Sequence, residues 1–340
     1  MNNQRTTNFL LLIIVIPIVF YLLKTLSFIL IPLILSMFIA LLFLPLMRWL
    51  RKRKTPKIIS IIIVIFIIIT TLFVGFELIQ LSSKEILATK SVFLDKAEVK
   101  LSSLINYVES TFHIERPEGQ EAFSFYFQTD SLMKNFGTTL DFVGSTISMT
   151  LTTLFFTMLW LAESINFQKL LNSTILKQKH SSVKVFMKVE NDLIKFMKVK
   201  FLISLGTGIG IGLACYLFDI SFPIFWGLFA FVINFLQMVG SFISVILLAI
   251  FAFVELDPTS TLFFFILSIT LVQVLFGGIL EPIFMGKSFS INVITILVML
   301  MLWGFIWGIP GLIMSIPITV FVKIILEQYP KTKTLANLMS

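Results

Sequence analysis

The chain has 340 residues, of which 57% are hydrophobic and 13% are charged, whereas soluble domains carry about 25% charged residues. This composition excludes an ordinary soluble domain. The net charge of +8 would suit a nucleic-acid partner, but the Lys and Arg residues cluster between long apolar blocks, as they do in proteins that cross a membrane several times. The composition therefore predicts an all-α, polytopic integral membrane protein that contacts membrane lipid and binds no nucleic acid.

Apolar segments along the chain predict about eight transmembrane helices. A bilayer core of about 30 Å needs roughly 20 residues of helix, and most of the segments reach that length. The first is short, but a second apolar run follows at once, so we interpret it as a retained span and not as a cleaved signal peptide. The predicted spans lie near residues 8–23, 26–47, 58–79, 140–161, 197–218, 222–254, 259–280 and 289–326.

Two predicted spans, 222–254 and 289–326, are too long for one simple crossing. Backbone groups that a break exposes inside a membrane need protein or water as partners, and transporters often bind solutes at such breaks. We therefore predict two broken helices or re-entrant hairpins in the C-terminal half, and the sequence does not decide between them. The helix-interrupting residues are Gly240 and Ser241 in the first segment and Gly304, Gly308, Pro310, Gly311 and Pro317 in the second.

The distribution of Lys and Arg predicts the orientation, because these residues concentrate in cytoplasmic loops. The loop from Arg48 to Lys57 is strongly basic, and so are the linker 162–200 and the C-terminal tail. Eight crossings with both termini in the cytoplasm satisfy this pattern. The predicted location is therefore the bacterial cytoplasmic (inner) membrane.

The same pattern divides the chain into six regions. Within the outer segment, apolar residues such as Leu101, Ile105 and Val108 recur with a helical period, which predicts an amphipathic helix. The predicted regions are an N-terminal scaffold of three spans (1–79), an extracytoplasmic amphipathic helical segment (80–139), a fourth span (140–161), a basic cytoplasmic linker (162–200), a C-terminal transport region (201–326) and a cytoplasmic tail (327–340).

The sequence holds no complete motif for catalysis, nucleotide binding or metal binding. The glycine-rich run 206–212 lacks the spacing of a dinucleotide-binding loop, and glycines four residues apart in a span favour close helix packing instead. Cys215 is the single cysteine, and His113 and His180 lie far apart. We therefore predict no enzyme activity, no catalytic residue, no metal and no cofactor.

Ionisable and amide side chains within the spans are the candidate pathway residues. Charged residues there are rare and often functional, and Glu281 stands at the end of an apolar run before Pro282. Glu281 could bind a proton or cation, pair with Lys287, or simply orient an interfacial turn, while amides in a span often serve only to join helices. The predicted pathway residues are Asn234, Gln237, Ser241, Gln273, Glu281 and Asn292.

Three blocks of sequence resemble the autoinducer-2 exporter family of bacterial membrane proteins. The first is residues 225–235 (FWGLFAFVINF), continuing to Gly240 and Ser241; the second is residues 280–282 (LEP), followed by Gly286; the third is residues 307–317 (WGIPGLIMSIP). The first block departs from the family's usual Asn-Phe-Ile-Pro-Tyr-Ile-Gly-Ser, because Gln237 replaces the proline and no tyrosine follows. Together with the helix breaks, the resemblance implies hinge or gating positions at Gly240, Pro282, Gly286, Gly308, Pro310, Gly311 and Pro317.

The resemblance implies secondary, ATP-independent export of a small organic solute such as autoinducer-2 or a related metabolite. One alternative is a sodium or lithium/proton antiporter, with a proton or sodium ion as partner. A different alternative is a membrane scaffold or regulator that transports nothing. The resemblance and the extended outer segment also imply a homo-oligomer.

Overall fold

The computed structural model describes residues 2–112, 149–163, 181–236, 239–256, 260–286, 291–328 and 332–339, and these contain helices and no strands. Within these ranges, five helical stretches are long and apolar enough to cross a membrane. These observations confirm the all-α, polytopic fold. The helices are α1 (Asn2–Thr25), α2 (Ser27–Lys52), α3 (Lys57–Phe112), α4 (Met149–Glu163), α5 (Ser181–Leu217), α6 (Pro223–Ile233), α7 (Val239–Glu255), α8 (Ser260–Gln273), α9 (Glu281–Met285), α10 (Val293–Gln328) and α11 (Lys333–Leu338), with a π-helix at Val274–Leu280.

Helix α3 is continuous over 56 residues, or about 84 Å at 1.5 Å per residue. The predicted third span and the start of the predicted outer amphipathic segment therefore belong to one helix. No proline lies between residues 57 and 112 to interrupt it. The rest of the outer segment, residues 113–139, lies outside the described residues.

The predicted segment 222–254 folds as a helical hairpin, called here the first hairpin (residues 223–255). Helices α6 and α7 form its two arms, and the chain reverses between Ile233 and Val239. A Cβ atom on Gly240 would lie 1.9 Å from the carbonyl oxygen of Ile233, closer than any real contact. The tight tip therefore requires glycine at this position.

The second long segment, α10, also reverses direction and forms the second hairpin (residues 293–328). Gly308 has φ 62° and ψ −139°, outside any helical conformation. A Cβ atom on Gly311 would lie 1.9 Å from the carbonyl oxygen of Trp303, although residues eight apart in a straight helix are separated by about 12 Å. Both long segments are therefore hairpins, which resolves the choice that the sequence left open.

The two hairpins open at opposite ends of the helix bundle. The first hairpin follows α5 after a short turn and ends at Glu255. The continuous stretch Ser260–Met285, made of α8, the π-helix and α9, is long enough to span a membrane. It carries the chain from the open end of the first hairpin to the base of the second, so the two tips approach each other from opposite ends.

Helix α3 contacts the chain both where it enters the first hairpin and where it leaves it. Glu85 Oε1 accepts a hydrogen bond from the backbone N–H of Phe222, at 3.2 Å, where α6 begins. Lys100 Nζ donates to the carbonyl oxygens of Phe253, at 3.1 Å, and of Leu256, where α7 ends. An anion at a helix N-terminus and a cation at a helix C-terminus both complement the helix dipole, so α3 stabilises this open end.

The glycine-rich run in α5 is a packing surface, as predicted. A Cβ atom on Gly208 would lie 2.7 Å from the carbonyl oxygen of Gly227 in α6. On another face of α5, a Cβ atom on Gly206 would lie 2.2 Å from the ring of Phe276. The glycines thus let α5 approach the first hairpin on one side and the π-helix on the other.

The helix that contains the fifth predicted span begins within the predicted linker. The membrane-length part of α5 is Met187–Leu217, so residues 187–200 belong to a helix that the basic composition had assigned to the linker. Val189, Leu193 and Phe196 are buried on one face. They pack with α2 and the second hairpin in one apolar cluster, and this packing explains why the basic stretch is part of the bundle.

Candidate functional site

An open cavity of about 570 Å³ lies between the tips of the two hairpins, and its lining residues Met301 and Ile309 are 76% and 64% exposed. The first hairpin contributes residues on either side of its tip, and both arms of the second hairpin contribute as well. The cavity therefore brings the two predicted breaks to one place. The described side chains that line it are apolar: Leu236, Val239, Ile243, Leu297, Leu300, Met301, Ile309 and Leu312, with Gly304 and Gly308.

Two serines of α7, the predicted Ser241 and its neighbour Ser244, face away from this cavity. Successive helix residues are about 100° apart, so Ser241 and Ser244 lie on the other side of α7 from Val239 and Ile243. A Cβ atom on Gly277 would lie 3.5 Å from Ser241 Oγ. Ser241 and Ser244 therefore face the stretch that contains α8 and the π-helix.

The half-buried Ser241 lies beside a buried polar seam, defined here as Ser204, Asn234, Ser244 and Gln273. Asn234 Nδ2 donates to Ser204 Oγ at 3.2 Å, which joins the first hairpin to α5. Gln273 Nε2 donates to Ser244 Oγ at 2.8 Å, which joins α8 to α7. These amides join neighbouring helices, one of the two roles that the sequence allowed for them.

Glu281 forms a buried ion pair with Lys200. Lys200 Nζ lies 2.9 Å from Oε1 and 3.1 Å from Oε2 of Glu281, and the two residues are only 1% and 5% exposed. The pair links α5 to the start of α9. Lys287, the partner considered from sequence, lies outside the described residues.

The sequence predictions missed Lys200, although a signal for it was present. Lys200, Ser204 and Thr207 are all buried and lie at positions i, i+4 and i+7 of α5, which share one helix face. A polar stripe at helical spacing inside an apolar helix predicts a buried network. The lysine was instead counted with the basic residues that precede it.

The π-helix immediately precedes Glu281 and distinguishes this part of the α8–α9 stretch. The backbone N–H of Glu281 donates to the carbonyl oxygen of Phe276, five residues earlier. Such wide turns are rare and are frequently found at functional sites. Gln273 lies directly before the π-helix and Glu281 directly after it, so a change in its winding would move the seam relative to the ion pair.

A second lysine is buried in the second hairpin. Lys323 is 2% exposed, and its Nζ lies 3.7 Å from Glu327 Oε1. Ser315 and Thr319 are also buried, and they precede Lys323 at intervals of four residues on the same helix face. The second arm therefore carries a polar stripe towards the base of the hairpin.

The remaining predicted residues lie elsewhere. Asn292 is at the base of the second hairpin, where Oδ1 accepts from the backbone N–H of Thr295 at 2.7 Å and Nδ2 donates to the carbonyl oxygen of Leu338 at 2.6 Å. It caps α10 and anchors α11. Gly286 ends α9 with φ 72°. Gln237 lies outside the described residues, and Pro282, Pro310 and Pro317 lie within α9 and α10.

The family model described as "AI-2E family transporter" matches residues 10–331. The chain belongs to the AI-2E transporter family. This membership, together with the membrane-length helices, makes the chain a multi-pass membrane protein and supports a transport role in preference to an enzymatic one.

Several bacterial proteins are similar to the chain. A protein of Haemophilus influenzae, provisionally named a transport protein, is 25% identical over 99% of this chain and 97% of its own length. The AI-2 transport protein TqsA of Escherichia coli is 23% identical over 92% of this chain and 89% of its own length. A provisionally named transport protein of Borreliella burgdorferi is 37% identical over 41% of this chain and 39% of its own length.

Proposed function

We propose that this AI-2E family member is a secondary transporter that exports a small organic solute, and that the solute passes between the tips of the two hairpins. The observation that carries the proposal is the meeting of two opposed, glycine-dependent hairpin tips at one cavity. Its volume of about 570 Å³ lies in the range of small-molecule sites, about 300–1,000 Å³. Autoinducer-2 is the first solute to test, because the similar TqsA is named as its transporter.

The first hairpin is the element that links the cavity to the polar interior. One face of α7 lines the cavity through Val239 and Ile243, and another contacts α8 through the Ser244–Gln273 hydrogen bond. A shift of this hairpin therefore changes the shape of the cavity and the contact between α7 and α8 at the same time. Alternating access then consists of movements of the two tips, with Gly240 and Gly308 as hinges.

The proposed orientation has both termini in the cytoplasm. The basic loop after α2 is cytoplasmic by the Lys and Arg rule, so α3 leads outward. The first hairpin, whose base is held by Glu85 and Lys100 of α3, then opens at the outer side. The second hairpin opens towards the cytoplasm.

Filling the cavity is expected to block transport. In Ile243→Trp the indole occupies space between the tips, and we expect efflux of the transported solute from proteoliposomes to fall at least about tenfold, which corresponds to about 1.4 kcal/mol of added barrier. Ile246→Trp is the matched control, because Ile246 is 56% exposed on the same helix and lies outside the cavity lining. Equal efflux from the wild type and both variants would contradict passage between the tips.

Sodium/proton exchange is the second candidate function, favoured by the buried carboxylate of Glu281. Solute export predicts no proton signal when sodium or lithium is added to proteoliposomes that contain a pH-sensitive dye. A signal that disappears in Glu281→Gln would instead favour the antiporter. Folded protein that moves neither ions nor solutes would favour the scaffold.

A further inference from the structure

The Lys200–Glu281 pair places two opposite charges deep in the helix bundle. Lys200 is 13 residues from the start of the span Met187–Leu217 and 17 from its end, or about 20 and 26 Å along the helix. Both oxygens of Glu281 contact Lys200 Nζ. Separating such a pair leaves each buried charge without a partner and without water, which is strongly unfavourable. The pair can therefore open only if each charge is compensated in another way.

We propose that Lys200 is a solute-binding residue, that the transported solute carries a carboxylate, and that Glu281 occupies the place of this carboxylate between transport cycles. This inference rests on the proposed transport function and specifies its substrate class. The resident partner of Lys200 is itself a carboxylate, held with both oxygens at 2.9 and 3.1 Å from Nζ. A solute carboxylate offers the same two acceptors in the same geometry.

Charge balance specifies what accompanies the solute. When the solute carboxylate binds Lys200, Glu281 loses its counter-ion, and a proton taken from the aqueous phase neutralises it. One carboxylate and one proton thus enter together, and the site stays neutral. A metal cation at Glu281 alone would leave the ammonium of Lys200 unpaired in the membrane interior, which is why the pair favours an anionic solute.

The surroundings of the pair agree with this assignment. Lys200 and Glu281 are each other's charged partners among the described residues, and the other buried lysine, Lys323, pairs with Glu327. Lys200 lies one helical turn before Ser204, which accepts a hydrogen bond from Asn234 at the tip of the first hairpin. Lys200 and the tip of the first hairpin are therefore one hydrogen bond and one turn of α5 apart.

Chemical rescue tests whether an external carboxylate reaches Lys200. In full-length Glu281→Ala protein in detergent, the truncation leaves space beside Lys200, and acetate or propionate is expected to raise the Tm by several degrees over sodium chloride at equal ionic strength. The Lys200→Met/Glu281→Ala double variant should show no such rise. No rise in the single variant, or an equal rise in both, would overturn the inference.

A flux measurement on wild-type protein separates this inference from the proposed function and does not depend on the folding of Glu281→Ala. We expect proteoliposomes to take up lactate under an inward proton gradient, with loss of uptake in Lys200→Met/Glu281→Met and normal uptake in Lys198→Met, whose side chain is exposed. Transport of autoinducer-2 or glycerol without lactate would overturn the carboxylate inference and leave solute transport standing. Carboxylate rescue without flux of any of these solutes would overturn the transport function instead.

Discussion

Lys200→Met is expected to lower the free energy of unfolding by about 3–5 kcal/mol, because it leaves the carboxylate of Glu281 as an unpaired buried charge. Glu281→Met should cost a similar amount, since it leaves the ammonium of Lys200 unpaired. The double variant Lys200→Met/Glu281→Met should recover most of the loss, because two apolar side chains of similar volume replace the pair. Unfolding of purified protein in detergent, followed by tryptophan fluorescence, measures all three.

The pair between Arg48 and Glu190 provides a matched control. Arg48 Nη2 lies 2.7 Å from Glu190 Oε1, but the side chains are 26% and 18% exposed. Water can therefore compensate either charge, and Glu190→Gln should cost no more than about 1 kcal/mol. Equal losses for Glu190→Gln and Glu281→Met, or a double variant at Lys200 and Glu281 whose loss is the sum of the single losses, would contradict the buried-pair account.

The sequence identified one half of this ion pair and missed the other. Glu281 was recognisable because a carboxylate at the end of a long apolar run is rare. Lys200 follows many other lysines, and counting Lys and Arg identifies the cytoplasmic side of a membrane protein without showing which lysine turns inward. That depends on the face of α5 that packs against the rest of the bundle.

The breaks in the fold were predictable, but the path of the chain through them was not. Glycine and proline identified residues 240 and 308–317 as interruptions. Whether a broken helix continues across the membrane or turns back depends on the backbone at Gly308 and on the close contacts at Gly240 and Gly311. These are tertiary features, and the apolar composition of both arms is the same in either case.

The sequence predicted which residues belong to the candidate site better than it predicted which of them contact each other. Asn234, Ser241, Gln273 and Glu281 all lie in or beside the first hairpin and its contacts with α5 and α8. The sequence could not show that Ser204 and Ser244 would bind the two amides. Apolar residues occupy both the buried and the exposed positions of α7, so hydrophobic periodicity does not separate its cavity side from its polar side.

Gly240→Ala and Gly311→Ala are expected to disrupt the two hairpin tips. In each case the added Cβ atom would lie 1.9 Å from a backbone carbonyl oxygen, and a backbone group at a tight reversal cannot move aside as a flexible side chain can. We expect a loss of about 3 kcal/mol or more, at the upper end for single substitutions, and loss of solute efflux. Thermal unfolding in detergent and proteoliposome flux measure the two effects.

The matched control is Gly75→Ala in α3, where a Cβ atom would meet no atom within 4 Å. Alanine favours a helix interior over glycine by roughly 0.5–1 kcal/mol, so this variant should be at least as stable as the wild type and should transport normally. Unchanged stability and efflux in Gly311→Ala would contradict the tight tip of the second hairpin.

Gly308→Ala separates the two ways in which glycine forms the second tip. A Cβ atom at Gly308 would meet nothing within 4 Å, so the variant is strained only by its backbone conformation, which costs about 1–3 kcal/mol. Gly311 is needed for close approach, and the loss in Gly311→Ala should therefore be the larger of the two. The reverse order would mean that the dihedral angles at residue 308, and not the contact with Trp303, hold the tip closed. Residue 308 would then be the principal hinge of the second hairpin.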